Sequence, residues 1–334
     1  IQFLITHGFD FNRQYALGVQ FYKGNDKPPK EEPEGISLRH LITQIVLHKK
    51  PIVLHNGFID LVFLYQCFYA ELPRSLQSFV ADLSEMFSAG IYDTKFISEF
   101  KASMPASYLE YVFRRRQREN ASKEANGKPY VSVDFPEYNE KHLVDHGECA
   151  LRSKFPGDAA PVSVCKNFAR YGWCTNGTGC PSSHNVDDIL DAEAAKQQKK
   201  RQKGQHSRQP KDCEPTCDVD AEVEDMEHNG KLDLHSNISP IVKRTTGLHR
   251  AGYDAFMTGY SFATFLLSYA KKRPSASGLD VEYLGLDQIA NKVFLSGKSV
   301  PLQIQPSHFA KHSPQHKEKY SALFGKQSEI SNEL

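Results

Sequence analysis

The chain has 334 residues, with 41 Lys and Arg against 40 Asp and Glu for a formal net charge of +1. A hydrophobic content of 40% supports one sizeable core, while a mean hydropathy of −0.52 is too polar for a single compact body and requires linker sequence. The balanced charge excludes a globally basic nucleic-acid binder, leaving local clusters to supply any such attraction, and neither a leader nor a membrane-spanning apolar run is visible.

Residues 1–24 are apolar and aromatic, and Ile1-Gln2-Phe3-Leu4-Ile5 reads as the interior of a domain. Residues 25–35, rich in Lys, Pro and Glu, form a loop. Ser37 is placed as an N-cap, and Leu38, Leu41, Ile42, Ile45 and Val46 follow at helical spacing, closed by Lys49 and Lys50. The run Pro51–His55 is a short buried strand, Asn56-Gly57 turns the chain, and a helix is expected from about Asp60 to Ala70. Helix, strand and helix in succession indicate an α/β layer fold.

Further helices are expected at 77–87 and 94–116, the second ending in Arg114-Arg115-Arg116 with Arg118 close by. Those arginines suit RNA phosphates or a solvated helix end equally. Residues 120–160 are irregular. Residues 187–240 are charged and nearly free of aromatics, with too little apolar surface to offset ordering entropy, and read as a disordered linker. Its basic stretch (Lys196, Lys199, Lys200, Arg201, Lys203) is either a solvated face or a nuclear import signal. Order resumes at Gly247 with a buried helix over 251–270. Val293–Leu295 and Val300–Ile304 are short strands around Gly297, and Pro301 confines the second to a sheet edge. From 306 the chain reads as a polar tail.

Cys165, Cys174, Cys180 and His184 follow the spacing C-x8-C-x5-C-x3-H. Three thiolates and an imidazole make a closed tetrahedral Zn²⁺ site, a CCCH finger over about 161–186, and favour a reducing compartment. Within it Phe168, Tyr171 and Trp173 offer rings for base stacking, and Lys166 and Arg170 offer charge for phosphates. The same aromatics also fit a protein interface. Of the other cysteines, Cys67 reads as a small buried hydrophobe, and Cys213 and Cys217 as linker.

Two acidic motifs complete the set. His55-Asn56-Gly57-Phe58-Ile59-Asp60 places a carboxylate after a strand at a helix start. His249-Arg250-Ala251-Gly252-Tyr253-Asp254 can bring a base and a carboxylate together from a loop and a first helical turn. Phosphodiester cleavage needs such carboxylates to hold two divalent cations, and a base for the attacking water.

H-N-x-x-x-D followed by H-x-A-G-x-D resembles the DEDDh 3′→5′ exonucleases, in the branch of Caf/Pop-type deadenylases and poly(A)-specific ribonuclease. Phe3-Leu4 with Gly8-Phe9-Asp10-Phe11-Asn12, and Tyr92-Asp93-Thr94-Lys95, are also similar to that branch. A CCCH finger between the second and third motifs narrows the resemblance to nuclear, finger-bearing deadenylases. The resemblance implies an RNase H-like α/β exonuclease fold, a mixed sheet flanked by helices, interrupted by the finger and linker. The exonuclease is then divided into residues 1–150 and 241–305, followed by the tail at 306–334. Also implied are two Mg²⁺ ions, with Asp254 as a direct ligand, Asp60 placing the second ion and His249 as general base. The implied substrate is RNA with 3′ adenosine tails, small nuclear RNA in particular, releasing 5′-AMP. The implied location is the nucleus, in Cajal bodies or speckles, with nuclear-body protein partners and no membrane.

The branch's first motif, Asp-x-Glu on the first strand, has no credible copy. Asp191-Ala192-Glu193 and Asp220-Ala221-Glu222 lie in the linker, and Asp280-Val281-Glu282 follows the third motif. The motif is expected upstream of Ile1, as in an N-terminally shortened form. The alternative is an RNA-binding or assembly protein with an inactive nuclease fold.

Overall fold

The computed structural model describes residues 1–2, 5, 9–18, 23, 38–135, 149–151, 162–206, 251–272, 281–306 and 309–332. In chain order they form α1 (Phe11–Leu17), α2 (Leu38–Leu47), β1 (Ile52–Leu54), α3 (Phe58–Leu64), α4 (Leu76–Met86), β2 (Ile91–Asp93), α5 (Thr94–Phe96), α6 (Leu109–Ala125), α7 (Lys166–Tyr171), α8 (Val186–His206), α9 (Ala251–Tyr269), α10 (Val281–Leu284), β3 (Lys292–Val293), β4 (Leu302–Gln303) and α11 (Pro314–Asn332). Two helices continue as π turns, Tyr65–Tyr69 after α3 and Ile97–Lys101 after α5.

The sheet runs β1-β2-β3-β4, with the first two pairings parallel and β3–β4 antiparallel. The expected strands on either side of Gly297 are that antiparallel pair, and Pro301 precedes the outermost strand, where a missing N–H costs no ladder bond. Strand alternation sorts the core into two layers. Ile52, Leu54, Ile91 and Val293 face a layer built from α2, α3, α4 and α11. Val53, Tyr92 and Phe294 face the opposite layer, formed by α5, α6 and α9. A mixed sheet between helical layers fits the RNase H-like expectation.

Four stretches depart from the sequence expectation. The helix expected over 94–116 is two helices, because backbone turns at Ala102–Tyr108 separate α5 and its π turn from α6. The arginines of α6 close internal bonds, with Arg114 and Arg116 buried and Arg115 and Arg118 partly exposed. Arg114 is 1% exposed and donates to Gln117, the Ala150 carbonyl and Tyr253, while Arg116 donates to Thr264 and Ser268 of α9. Third, the segment expected as disordered linker opens as the helix α8. Val186, Ile189 and Leu190 recur at one-turn spacing and pack on Tyr111 of α6. Acidic side chains of α8 also meet α6, with Asp187 and Asp191 on Arg118 at 3.0 and 2.6 Å and Glu193 on Tyr111 at 2.8 Å. Residues 207–240 lie outside the described residues. Last, the polar tail carries α11, whose Tyr320, Leu323 and Phe324 pack on the first core layer.

One side chain joins the strands' ends. Asp93, fully buried, accepts main-chain N–H bonds from Asn56 (2.9 Å), Gly57 (3.3 Å), Lys95 (2.9 Å) and Phe294 (2.9 Å). Asp93→Ala strands four donors, of which the Gly57 and Phe294 amides are buried and cost about 1–3 kcal/mol each. It is expected to destabilise the fold by several kcal/mol in urea unfolding, and Asp93→Asn by less, since its amide oxygen still accepts two of the four N–H groups while its nitrogen opposes the other two. An Asp93→Ala protein with wild-type stability would remove this carboxylate from its organising role.

Candidate active site and metal centre

Parallel β1 and β2 end at the same edge of the sheet, where α/β folds place their ligands. The chain leaves β1 through His55, Asn56 and Gly57. Asn56 sits at φ 61°, a left-handed conformation that Asn tolerates. A Cβ at Gly57 would lie 2.4 Å from the Leu54 Cβ, so only glycine fits this turn. The turn delivers Asp60 to the first turn of α3, exposed to solvent.

Asp254 occupies the first turn of α9 and is half-buried. Helix α9 packs on both α6 and β1, so the element carrying Asp254 is laid along the strand that leads to Asp60. His249, the expected base, lies outside the described residues. Two hard carboxylates in first helical turns are the donor chemistry that Mg²⁺ takes. Among the described residues Asp60 and Asp254 join no third potential ligand. Asp191 and Glu193 stand apart from them, bonded to Arg118 and to Tyr111 and Arg115.

A polar network that the sequence did not reveal lines the same edge. His55 Nδ1 lies 2.9 Å from Thr94 Oγ1, which donates to the Leu54 carbonyl at 3.0 Å. Lys95 donates to Ser107 at 2.7 Å and pairs with Glu99 at 3.4 Å, and Ser107 donates to Glu99 at 2.5 Å. Burial, then the Lys95 ammonium, pushes His55 down from 6.5 to about 3, so its imidazole is neutral at physiological pH. Burial raises the Asp93 carboxyl, and its four amide donors pull the other way. The motif Tyr92-Asp93-Thr94-Lys95 marked the place, but the roles of its residues depend on partners far away in sequence.

The finger residues converge. Cys165, Cys174, Cys180 and His184 each bring a ligand atom within 4.8 Å of the others. Cys165 caps α7, Gly172 ends it at φ 75°, and the Cys165 amide bonds the Ser183 carbonyl at 3.1 Å, beside His184. His184 Nε2 is buried without a hydrogen-bond partner, and the Phe168 amide leads the groups that draw the Cys165 thiol down to about 7. A buried, unpartnered nitrogen among three thiols fits a soft-ligand Zn²⁺ site. Phe168 is half-buried; it stacks on the His184 ring at 4.5 Å and meets Tyr108 edge-on. Tyr171 and Trp173 are 54% and 62% exposed, and Lys166 and Arg170 are exposed beside them. Of the basic stretch, Lys196 and Lys199 are exposed on α8; the side chains of Lys200, Arg201 and Lys203 lie outside the described residues. Cys67 is half-buried in the π turn after α3, and Cys213 and Cys217 lie outside the described residues.

Residues 29–262 match the CAF1 family ribonuclease domain, and the chain belongs to that family. A stretch of 59 residues is 44% identical to the pre-piRNA 3′-exonuclease trimmer of Bombyx mori, covering 18% of this chain and 11% of that protein. Another of 64 residues is 38% identical to an uncharacterized protein of Schizosaccharomyces pombe, covering 19% of this chain and 15% of that protein. The matches therefore span only a small part of either relative. No solved structure matches. CAF1 nucleases are metal-dependent, which agrees with the carboxylate chemistry of Asp60 and Asp254.

The depressed His55 pKa gives a pH dependence of stability. On acidification the unfolded chain takes up this proton near 6.5 and the folded chain only near 3. Stability from this group is complete above 6.5 and is lost as pH falls through that window. At about 1.4 kcal/mol per pH unit, urea unfolding of the wild type is expected to lose about 2–3 kcal/mol more between pH 7 and 4.5 than that of His55→Gln. Parallel losses in the two proteins would contradict a buried neutral imidazole.

Proposed function

We propose that this protein is a metal-dependent 3′→5′ exoribonuclease that trims 3′ oligo(A) tails, with small nuclear RNA as the substrate class. The observation that carries this is the CAF1 ribonuclease match over residues 29–262, with Asp60 and Asp254 in the first turns of α3 and α9, the latter packed on β1. Asp254 would hold a catalytic Mg²⁺ directly, Asp60 would help place a second, and His249 would take the proton of the attacking water. Bound there, such ions neutralise the scissile phosphate and stabilise the leaving 3′-oxygen. The turn at Asn56-Gly57 and the carboxylate of Asp93 fix the backbone from which Asp60 projects.

The finger is read as a structural Zn²⁺ site that presents Tyr171, Trp173, Lys166 and Arg170 to single-stranded RNA. Its insertion into the exonuclease resembles the nuclear deadenylase known as target of EGR. That likeness supports a nuclear, Cajal-body location with nuclear-body partners, and import through the Lys196–Lys203 stretch. A second reading, an RNA-binding or assembly protein with an inactive nuclease fold, is favoured by one observation. Among the described residues no Asp-x-Glu pair joins Asp60 and Asp254.

Incubation of a 3′-oligoadenylated RNA with Mg²⁺ separates the two. The exonuclease reading expects stepwise release of 5′-AMP, abolished by EDTA and reduced at least 100-fold by Asp254→Ala or Asp60→Ala. The assay is run on this chain and on a form extended upstream of Ile1, and intact RNA with both supports the binding-protein reading. For the finger, Trp173→Ala is expected to weaken oligoadenylate binding in fluorescence anisotropy by about 1–3 kcal/mol, the scale of one stacked base. Unchanged affinity would assign the finger to a protein partner.

A further inference from the structure

A second group of ligand-type side chains lies in the other helical layer, where α11 is laid against the first core. Asp82 and Glu85 are one turn apart on α4, His312 lies two residues before α11, and His316 is in its first turn. Asp82, His312 and His316 each bring a ligand atom within 4.8 Å of the others. His312 Nδ1 is 3.2 Å from Asp82 Oδ1 and 3.7 Å from Glu85 Oε2, and His316 Nε2 is 2.7 Å from Glu85 Oε2. A tetrahedral ion with bonds of about 2.0–2.1 Å separates its ligands by roughly 3.3 Å, the middle of these spacings.

The surroundings match a metal centre in two ways. First, charge: Asp82 is fully buried, and among the described residues the ion-pair partners of Asp82 and Glu85 are histidines, never Lys or Arg. Buried carboxylates are otherwise paired, metal-bound or, like Asp93, held by several main-chain donors, and Asp82 has one such donor, from Ser313. Second, orientation: each inner group is held by an outer one. Tyr69 Oη meets His316 Nδ1 at 2.8 Å, leaving Nε2 toward the cluster; Tyr65 donates to Asp82 Oδ2 at 2.8 Å, and the Ser313 amide to Oδ1 at 3.0 Å. Such outer partners fix the tautomer and direction of metal ligands. Both tyrosines come from the π turn after α3, whose register turns them toward α4 and α11.

We propose that Asp82, His312 and His316 form a three-ligand structural divalent-cation site, Zn²⁺ by its two imidazoles and one carboxylate, that fastens α11 to α4, with Glu85 beside His316. The site is separate from the finger and from Asp60 and Asp254, and it stands whether or not the chain is a nuclease. Its donors are nitrogen and oxygen, whereas the finger supplies three sulfurs, and this difference makes the two spectroscopically distinct.

The whole chain is purified with zinc, passed through metal-free buffer and assayed for bound metal. Two zinc equivalents per chain are expected, falling to one in Cys174→Ser and to one in His312→Gln, whose side chain is 30% exposed and tolerates change. Added Zn²⁺ is expected to raise the Tm of Cys174→Ser but not that of Cys174→Ser/His312→Gln. If Cys174→Ser does not fold, cobalt replaces it as the probe. Cobalt-loaded His312→Gln is then expected to keep the thiolate charge-transfer band at full intensity while losing one cobalt equivalent. A wild-type chain and His312→Gln with equal metal content, or a Cys174→Ser protein indifferent to Zn²⁺, would overturn the site and leave a network held by protons alone.

Discussion

Asp93 accepts four main-chain N–H groups from three segments that are far apart in sequence: the β1 turn, the start of α5 and the residue after β3. A buried carboxylate without a cationic partner is costly, and four converging donors are what make it tolerable. The bond set therefore works as a clamp on the sheet's carboxyl edge. Because the two amides of Asn56 and Gly57 are bound to it, the left-handed turn at Asn56 is fixed in place, and with it the first turn of α3 from which Asp60 projects. Position 60 is thus set by a side chain 33 positions further on, and position 57 must be glycine because the clamp draws the turn onto Leu54.

The second constraint is the way α6 uses its arginines. A run of basic residues on a helix ordinarily faces solvent or phosphate. Here Arg114 and Arg116 turn inward to α9, and Arg115 and Arg118 turn toward acidic residues of α8. Buried arginines are stable only with their donors satisfied, and the carbonyls, hydroxyls and carboxylates named here satisfy them. Helix α6 consequently joins the end of the finger segment to the helix that bears Asp254. The segment carrying the Cys165, Cys174, Cys180 and His184 cluster is thereby seated on α6 and α8, with Gly172 packed against the Tyr108 ring at a distance no Cβ allows.

What the sequence disclosed and what it hid follow from the range of the interactions. Local signals were sound. The stripe in α2, the β1 strand and its Asn-Gly turn, the buried α9 and the β3–β4 pair all rest on spacing within a few residues. The convergence of Cys165, Cys174, Cys180 and His184 was equally legible, because their spacing is local too. The failures are long-range. Helix α8 looks disordered by composition, yet it needs only Val186, Ile189 and Leu190 and partners on α6 to be held. The stacking of Phe168 on His184, sixteen positions on, is a contact that the spacing of the ligands does not announce. His312 and His316 sit in what reads as a polar tail, and nothing near them in sequence announces Asp82, 230 positions earlier.

These placements also decide where RNA charge must be met if the chain is an exonuclease. With a net charge of +1, the molecule has no general attraction to phosphate, and the α6 arginines are already engaged by internal partners. The finger differs. Lys166 and Arg170 are exposed, Arg170 lies 5.3 Å over the Tyr171 ring, and Trp173 stands open beside them. Phe168 holds this surface from beneath, and α8 anchors it to α6. A substrate strand would be gripped by stacking and a few local charges on a rigidly seated module, while the carboxylates of α3 and α9 are positioned by the sheet. Grip and chemistry would then be set by separate interactions, so changes at Trp173 act on binding without disturbing the clamp that places Asp60.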